Sequence, residues 1–140
     1  MSARILVVED HPASRKLTAY LLEKSGFEVR VADCGEEALE LTEHEAFDLI
    51  LCDIHMPGID GYEVAQRLKG DPKYNRIPLV AMTALVGAGH AENLLAAGFD
   101  GVVLKDIGPK CFVQQVQSFL LSSDLESLNL EGRSSPDGLK

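Results

Sequence analysis

The chain is expected to be an α/β domain built on a buried parallel sheet, and three features of the sequence lead to that expectation. Short apolar runs rich in β-branched residues recur along its 140 residues. Amphipathic stretches at helical spacing separate them, giving strand then helix five times over. The charged and hydroxyl residues fall where the apolar runs end, which in an open parallel sheet is the rim where ligands bind.

Ile5-Leu6-Val7-Val8 reads as the first strand. Pro12 suits a first helical position, where its missing N–H has no partner to lose. Ala13, Leu17, Tyr20, Leu21 and Leu22 are expected to form that helix's inner face, and Gly26 ends it. Val29-Arg30-Val31-Ala32 is the second strand, followed by Gly35 and a helix around Ala38-Leu39 and Thr42 that stops before Phe47. Leu49-Ile50-Leu51-Cys52 is the most uniformly apolar run, as a central strand covered on both faces should be, and Asp53 stands at its carboxyl end. After the Pro57-Gly58 turn, Asp60 can cap a helix carrying Val64, Ala65 and Leu68, which Gly70-Asp71-Pro72 terminates.

Leu79-Val80-Ala81-Met82 is the fourth strand, with Thr83 at its end. Gly87 and Gly89 weaken the start of the fourth helix, whose core face reads as Ala91, Leu94 and Leu95 before Gly98 closes it. Val102-Val103-Leu104 is the fifth strand and delivers Lys105. Pro109 opens a last helix in which Phe112, Val113, Val116, Phe119 and Leu120 recur at helical spacing. The pattern fades from Ser122, so one domain is expected over residues 1–122, with 123–140 a polar tail, linker stub or disordered segment.

Composition narrows the function. A hydrophobic fraction of 46% with 25% charged residues is that of an ordinary globular domain. Twenty-two acidic against thirteen basic residues, a net charge of −9, argue against a surface for nucleic acid, which needs clustered Lys and Arg to neutralise phosphates. The first apolar run is broken at Glu9-Asp10, too early for a signal peptide, and no stretch approaches the ~20 apolar residues of a membrane span. Cys34, Cys52 and Cys111 have neither paired nor metal-like spacing and read as reduced, small apolar fillers in a cytoplasmic protein.

The chemistry lies at the strand ends: Glu9-Asp10 after the first, Asp53 after the third, Thr83 after the fourth and Lys105 after the fifth. Singly, each has an ordinary explanation as a turn former, a cap or a solvated charge. Together, an acid pair, an acid, a hydroxyl and an ammonium on one rim are not four independent turns. Three gathered carboxylates repel one another, an unscreened pair at ~4 Å by on the order of 4 kcal/mol at an effective dielectric of about 20, so a cation is needed. Magnesium suits, being a hard ion that takes one or two carboxylates directly and keeps several waters. Asp10 and Asp53 read as direct ligands, Glu9 as acting mainly through water, and the backbone carbonyl of His55 as a third protein ligand.

A carboxylate so placed can attack phosphorus, which makes Asp53 the nucleophile. Lys105 would pair with one phosphoryl oxygen, and Thr83 would donate its hydroxyl to another. His11, His44, His55 and His90 lack partners at ligand spacing and read as exposed. Gly87-Ala88-Gly89 has no third glycine at the spacing of a phosphate-cradling loop.

These residues resemble the receiver domain of two-component response regulators, of the single-domain chemotaxis kind. The resemblance spans residues 3–121 and is carried by Ile5-Leu6-Val7-Val8-Glu9-Asp10, by Asp53-Ile54-His55-Met56-Pro57-Gly58-Ile59-Asp60-Gly61, by Met82-Thr83-Ala84 and by Leu104-Lys105. It implies a flavodoxin-like three-layer sandwich with strand order 2-1-3-4-5 and five helices. It also implies magnesium-dependent phosphorylation of Asp53 by a histidine kinase or phosphotransfer protein, and self-catalysed dephosphorylation with no other enzymatic turnover. Output to a downstream protein target would run through the surface of the fourth helix, fifth strand and fifth helix.

Two positions depart from the family. Val102 stands where an aromatic residue commonly precedes the lysine by three, and Asp106 where a proline commonly follows it in a cis peptide. They favour, as the alternative, an interaction module that signals without phosphorylation. A phosphatase of the haloacid dehalogenase type would need a second acid two residues after Asp53, where this chain has His55.

Overall fold

The computed structural model describes residues 3–54, 56–83, 88–105 and 108–132. Strand and helix alternate as β1 (Arg4–Val8), α1 (Pro12–Lys24), β2 (Glu28–Ala32), α2 (Gly35–His44), β3 (Leu49–Asp53), α3 (Gly61–Lys69), β4 (Leu79–Thr83), α4 (Ala88–Ala96), β5 (Gly101–Leu104) and α5 (Pro109–Gly132). The strands form one parallel sheet in the order β2-β1-β3-β4-β5. This is the doubly wound, three-layer α/β architecture the sequence predicts.

Side chains alternate across a strand, so each strand feeds two cores. Leu6, Val8, Ile50, Cys52 and Ala81 pack with Ala38 of α2, Val64, Ala65 and Leu68 of α3, and Leu94 of α4. Ile5, Val7, Leu49, Leu51, Val80, Met82 and Val103 face the other way, onto Leu22 of α1 and Phe112 and Val116 of α5. Helices α2, α3 and α4 therefore cover one face and α1 and α5 the other. Every residue of β3 and β4 is buried, as expected of inner strands.

Caps and glycines place the connections. Asp60 caps α3 by accepting from the Glu63 amide at 3.0 Å. Gly61, the first residue of α3, lies so close to the end of β3 that a Cβ there would stand 2.5 Å from the Asp53 carbonyl oxygen. At the start of β5, a Cβ on Gly101 would meet the Phe119 ring at 2.2 Å, so α5 seats on the sheet through a bare backbone position.

Three expectations are corrected. In α1, Leu17 and Tyr20 are 57% and 55% exposed and Ala13 is also outside the core, while Leu22 is buried with Leu21 partly so. The helix is turned so that its apolar stripe straddles the groove toward α5, and Leu17 lines that groove instead of touching the sheet. In α4, Leu94 is buried but Leu95 is 51% exposed, because adjacent helical residues point about 100° apart and only one can face the sheet; the Ala91 side chain lies outside what is described. Of the three cysteines only Cys52 is a buried filler, with Cys34 half-buried and Cys111 exposed in the first turn of α5. Helix α5 runs on past the end of the apolar pattern to Gly132, and no glycine or proline interrupts residues 110–131. Residues 133–140 lie outside the described residues. Among the described residues no helix is long and apolar enough to cross a membrane.

Candidate functional site

The parallel register carries the strand-end residues to one place. Val8 of β1 pairs with Cys52 of β3, so Glu9 and Asp53, each the next residue, emerge side by side. Asp53 in turn pairs with Met82, which puts Thr83 one step further along the neighbouring strand. Thr83 pairs with Leu104, and the Lys105 amide donates to the Thr83 carbonyl oxygen at 2.9 Å, so Lys105 continues from β5 at the same rim.

Glu9, Asp10 and Asp53 offer carboxylate oxygens that all lie within 4.8 Å of one another. Lys105 reaches over β4 to both acids of the inner strands, its Nζ 2.7 Å from Glu9 Oε1 and 3.3 Å from Asp53 Oδ1. The structure thus brings together four of the predicted residues, and places Thr83 beside them, buried at the end of β4. His55 and the peptide from Lys105 to Asp106 lie outside the described residues.

Each of these two carboxylates is also held by a main-chain donor. Asp53 Oδ1 accepts from the Ile54 amide at 2.8 Å, and Glu9 Oε2 accepts from the His11 amide at 3.2 Å. Glu9 Oε1 is buried and faces Lys105 as an ionic contact without an aligned hydrogen bond, which leaves acceptor capacity directed into the site. A cavity of about 380 Å³ between α1 and α5, lined by Glu9, Thr18, Met82, Lys105 and Phe112 among others, gives the lysine room to move.

The electrostatics show a shortage of positive charge. Burial raises the Asp53 carboxyl, the neighbouring Glu9 raises it further, and Lys105 offsets only part, so Asp53 is pushed up to about 6. Burial also raises Glu9, but Lys105, Asp53 and the His11 amide prevail and hold it below its ordinary value. Lys105 loses to burial but gains more from Glu9 and Asp53, and is raised. One ammonium therefore does not neutralise the cluster, and of the two carboxyls beside it Asp53 takes up a proton more readily than Glu9. A hard divalent cation fits this donor set, which is all oxygen and gathers three carboxylates around a single ammonium.

Two residues of the site escaped sequence reasoning. His11 is exposed, as expected, but serves as the N-cap of α1, its Nδ1 accepting from the Ser14 amide at 3.3 Å. Arg15 donates from Nη1 to the carbonyl oxygens of Glu9 at 3.1 Å and Asp10 at 3.5 Å. The available signal was its position as the first cation after the acid pair, in the opening turns of a helix that starts beside it.

A family model for the response regulator receiver domain matches residues 5–117. The chain belongs to that family. This receiver is 35% identical over 120 residues to the polar-differentiation response regulator DivK of Brucella ovis, an alignment covering 86% of this chain and 98% of that protein. The chemotaxis protein CheY4 of Vibrio cholerae superposes with a TM-score of 0.80 at 26% identity, covering 85% of this chain and 99% of that one. The receiver domain of a sensor histidine kinase of Pseudomonas aeruginosa superposes with a TM-score of 0.78 at 28% identity, covering 86% and 98%, and carries a magnesium ion coordinated in its active-site cleft. Receiver domains work in two-component signalling, where they meet histidine kinases or phosphotransfer proteins and downstream targets.

Proposed function

We propose that this receiver accepts a phosphoryl group on Asp53 from the phosphohistidine of a histidine kinase or phosphotransfer protein. An Asp53 carboxylate oxygen forms the new bond to phosphorus as the donor's nitrogen–phosphorus bond breaks, its electron pair staying on the imidazole. Lys105, 3.3 Å from Asp53 Oδ1, is placed to follow a phosphoryl oxygen, and Thr83 at the end of β4 to donate its hydroxyl to another. Asp10 and Asp53 would hold magnesium directly and Glu9 through water, with the His55 carbonyl as a further ligand. The ion, when bound, neutralises charge on the phosphoryl oxygens. The observation that carries the proposal is the meeting of three carboxylates within 4.8 Å with one lysine among them.

The protein turns over no substrate beyond accepting and losing this group. It acts in the cytoplasm without binding nucleic acid, and its output runs through the α4, β5 and α5 surface to a protein partner. The test is incubation of the full chain with acetyl phosphate and magnesium, read by intact mass. One base-labile phosphoryl group is expected, absent with EDTA and in Asp53→Asn. Labelling that persists in Asp53→Asn refutes the acceptor. No labelling of the wild type instead favours an interaction module independent of phosphorylation, the reading that Val102 and Asp106 support.

A further inference from the structure

Between β1 and α1 the chain makes a three-residue turn that carries two of the three clustered acids, and one side chain spans it. Arg15 is half-buried, its amide donates to the His11 carbonyl at 2.9 Å, and its Nη1 donates back to the carbonyl oxygens of Glu9 and Asp10. The Glu9 amide is held on the other side by the Ala32 carbonyl at 3.0 Å. The main chain of Glu9 is thereby pinned at both its N–H and its C=O, and the direction in which its carboxylate leaves the turn follows from that.

We propose that Arg15 is a positioning residue that sets how tightly the Glu9, Asp10 and Asp53 cluster holds a divalent cation. The inference rests on the reading above that these acids take such an ion. Arg15 exerts two effects of opposite sign. Its positive charge, near the cluster, repels a cation. Its Nη1 donates to the carbonyls of two acid-bearing residues, at 3.1 Å to Glu9 and 3.5 Å to Asp10, which helps aim their carboxylates before the ion arrives, and groups that orient ligands typically matter about tenfold or more in metal affinity. The clamp outweighs the repulsion, because the guanidinium is engaged by main-chain carbonyls, and among the described residues the ion pairs to the Glu9 and Asp53 carboxylates are made by Lys105.

The opposite signs make the test decisive. The full-length wild type, Arg15→Met and Arg15→Lys are titrated with magnesium chloride alone by calorimetry, each first shown to be folded by circular dichroism and thermal melting without metal. Arg15→Met, which removes charge and donors together, is expected to bind magnesium about tenfold more weakly. Arg15→Lys keeps the charge but not the guanidinium that reaches both carbonyls, and is expected to bind more weakly than wild type but more tightly than Arg15→Met. Affinity equal to or tighter than wild type in Arg15→Met, where lost repulsion alone tightens binding, overturns the proposal; if that variant does not fold, wild-type affinity in Arg15→Lys, which keeps the charge but not the guanidinium, overturns it. Absence of magnesium binding by the wild type itself would instead remove the metal reading on which the inference stands.

Discussion

Replacing Asp53 with asparagine should stabilise the metal-free protein, and only above mildly acidic pH. The folded carboxyl is raised from 3.8 to about 6, chiefly by burial and then by Glu9. A carboxyl whose folded pKa lies above its unfolded value binds protons more readily in the native state. Stability is then lost as pH climbs through that window: the cost is small below about pH 4 and complete above about pH 6. At ~1.4 kcal/mol per pH unit, the rise corresponds to no more than about 3 kcal/mol, and the coupling of Asp53 to Glu9 and Lys105 brings the expected value to roughly 1–3 kcal/mol. The amide of the variant stays neutral at every pH and should escape this cost.

Urea denaturation followed by circular dichroism, in EDTA, measures the difference between wild type and Asp53→Asn from about pH 4 to about pH 8. The variant should match the wild type within about 1 kcal/mol at the acid end and exceed it at the alkaline end, with a melting temperature higher by roughly 5–10 °C. Magnesium should shrink the gap by stabilising the wild type alone, since a bound ion offsets the ionised carboxylate. A difference that is flat with pH, or a variant less stable at about pH 8, would show that Asp53 is not strained by burial beside Glu9.

Lys105→Met strips the buried Glu9 carboxylate of its ammonium and should cost about 1–3 kcal/mol in metal-free urea melts, less than breaking a fully buried pair because the lysine is 28% exposed; an unchanged midpoint would deny the pair its structural role. Gly101→Ala drives a methyl into the Phe119 ring and should cost about 1–3 kcal/mol by overpacking. That penalty should largely vanish when the same change is made in a Phe119→Ala background, and additive effects in the double mutant would disprove the contact.

Much of this was legible before any coordinates. The central position of β3 follows from four consecutive apolar residues, 49–52, that can be satisfied only by cover on both faces. The stripe of Phe112 and Val116 reads correctly because α5 lies flat on the sheet and its helical period maps directly onto burial. In α1 the same reasoning misplaced Leu17 and Tyr20, since a stripe turned toward the groove beside α5 leaves some of its apolar residues more than half exposed. Arg15 was illegible for a different reason: its partners are main-chain carbonyls, which every sequence offers everywhere, so nothing in the side-chain pattern marks the bond.

By itself, the order of residues determined the local elements, their alternation and the presence of acids, hydroxyl and lysine at strand ends, because periodicity and chain-breaking residues act over a few positions. Only the tertiary structure decided that Glu9 and Asp53 share a register step, and that Lys105 crosses β4 to meet them. Those relations are set by how two helical layers cover one twisted sheet, a balance of burial over the whole chain. The charge imbalance that raises Asp53 exists only once that burial has removed water from around it.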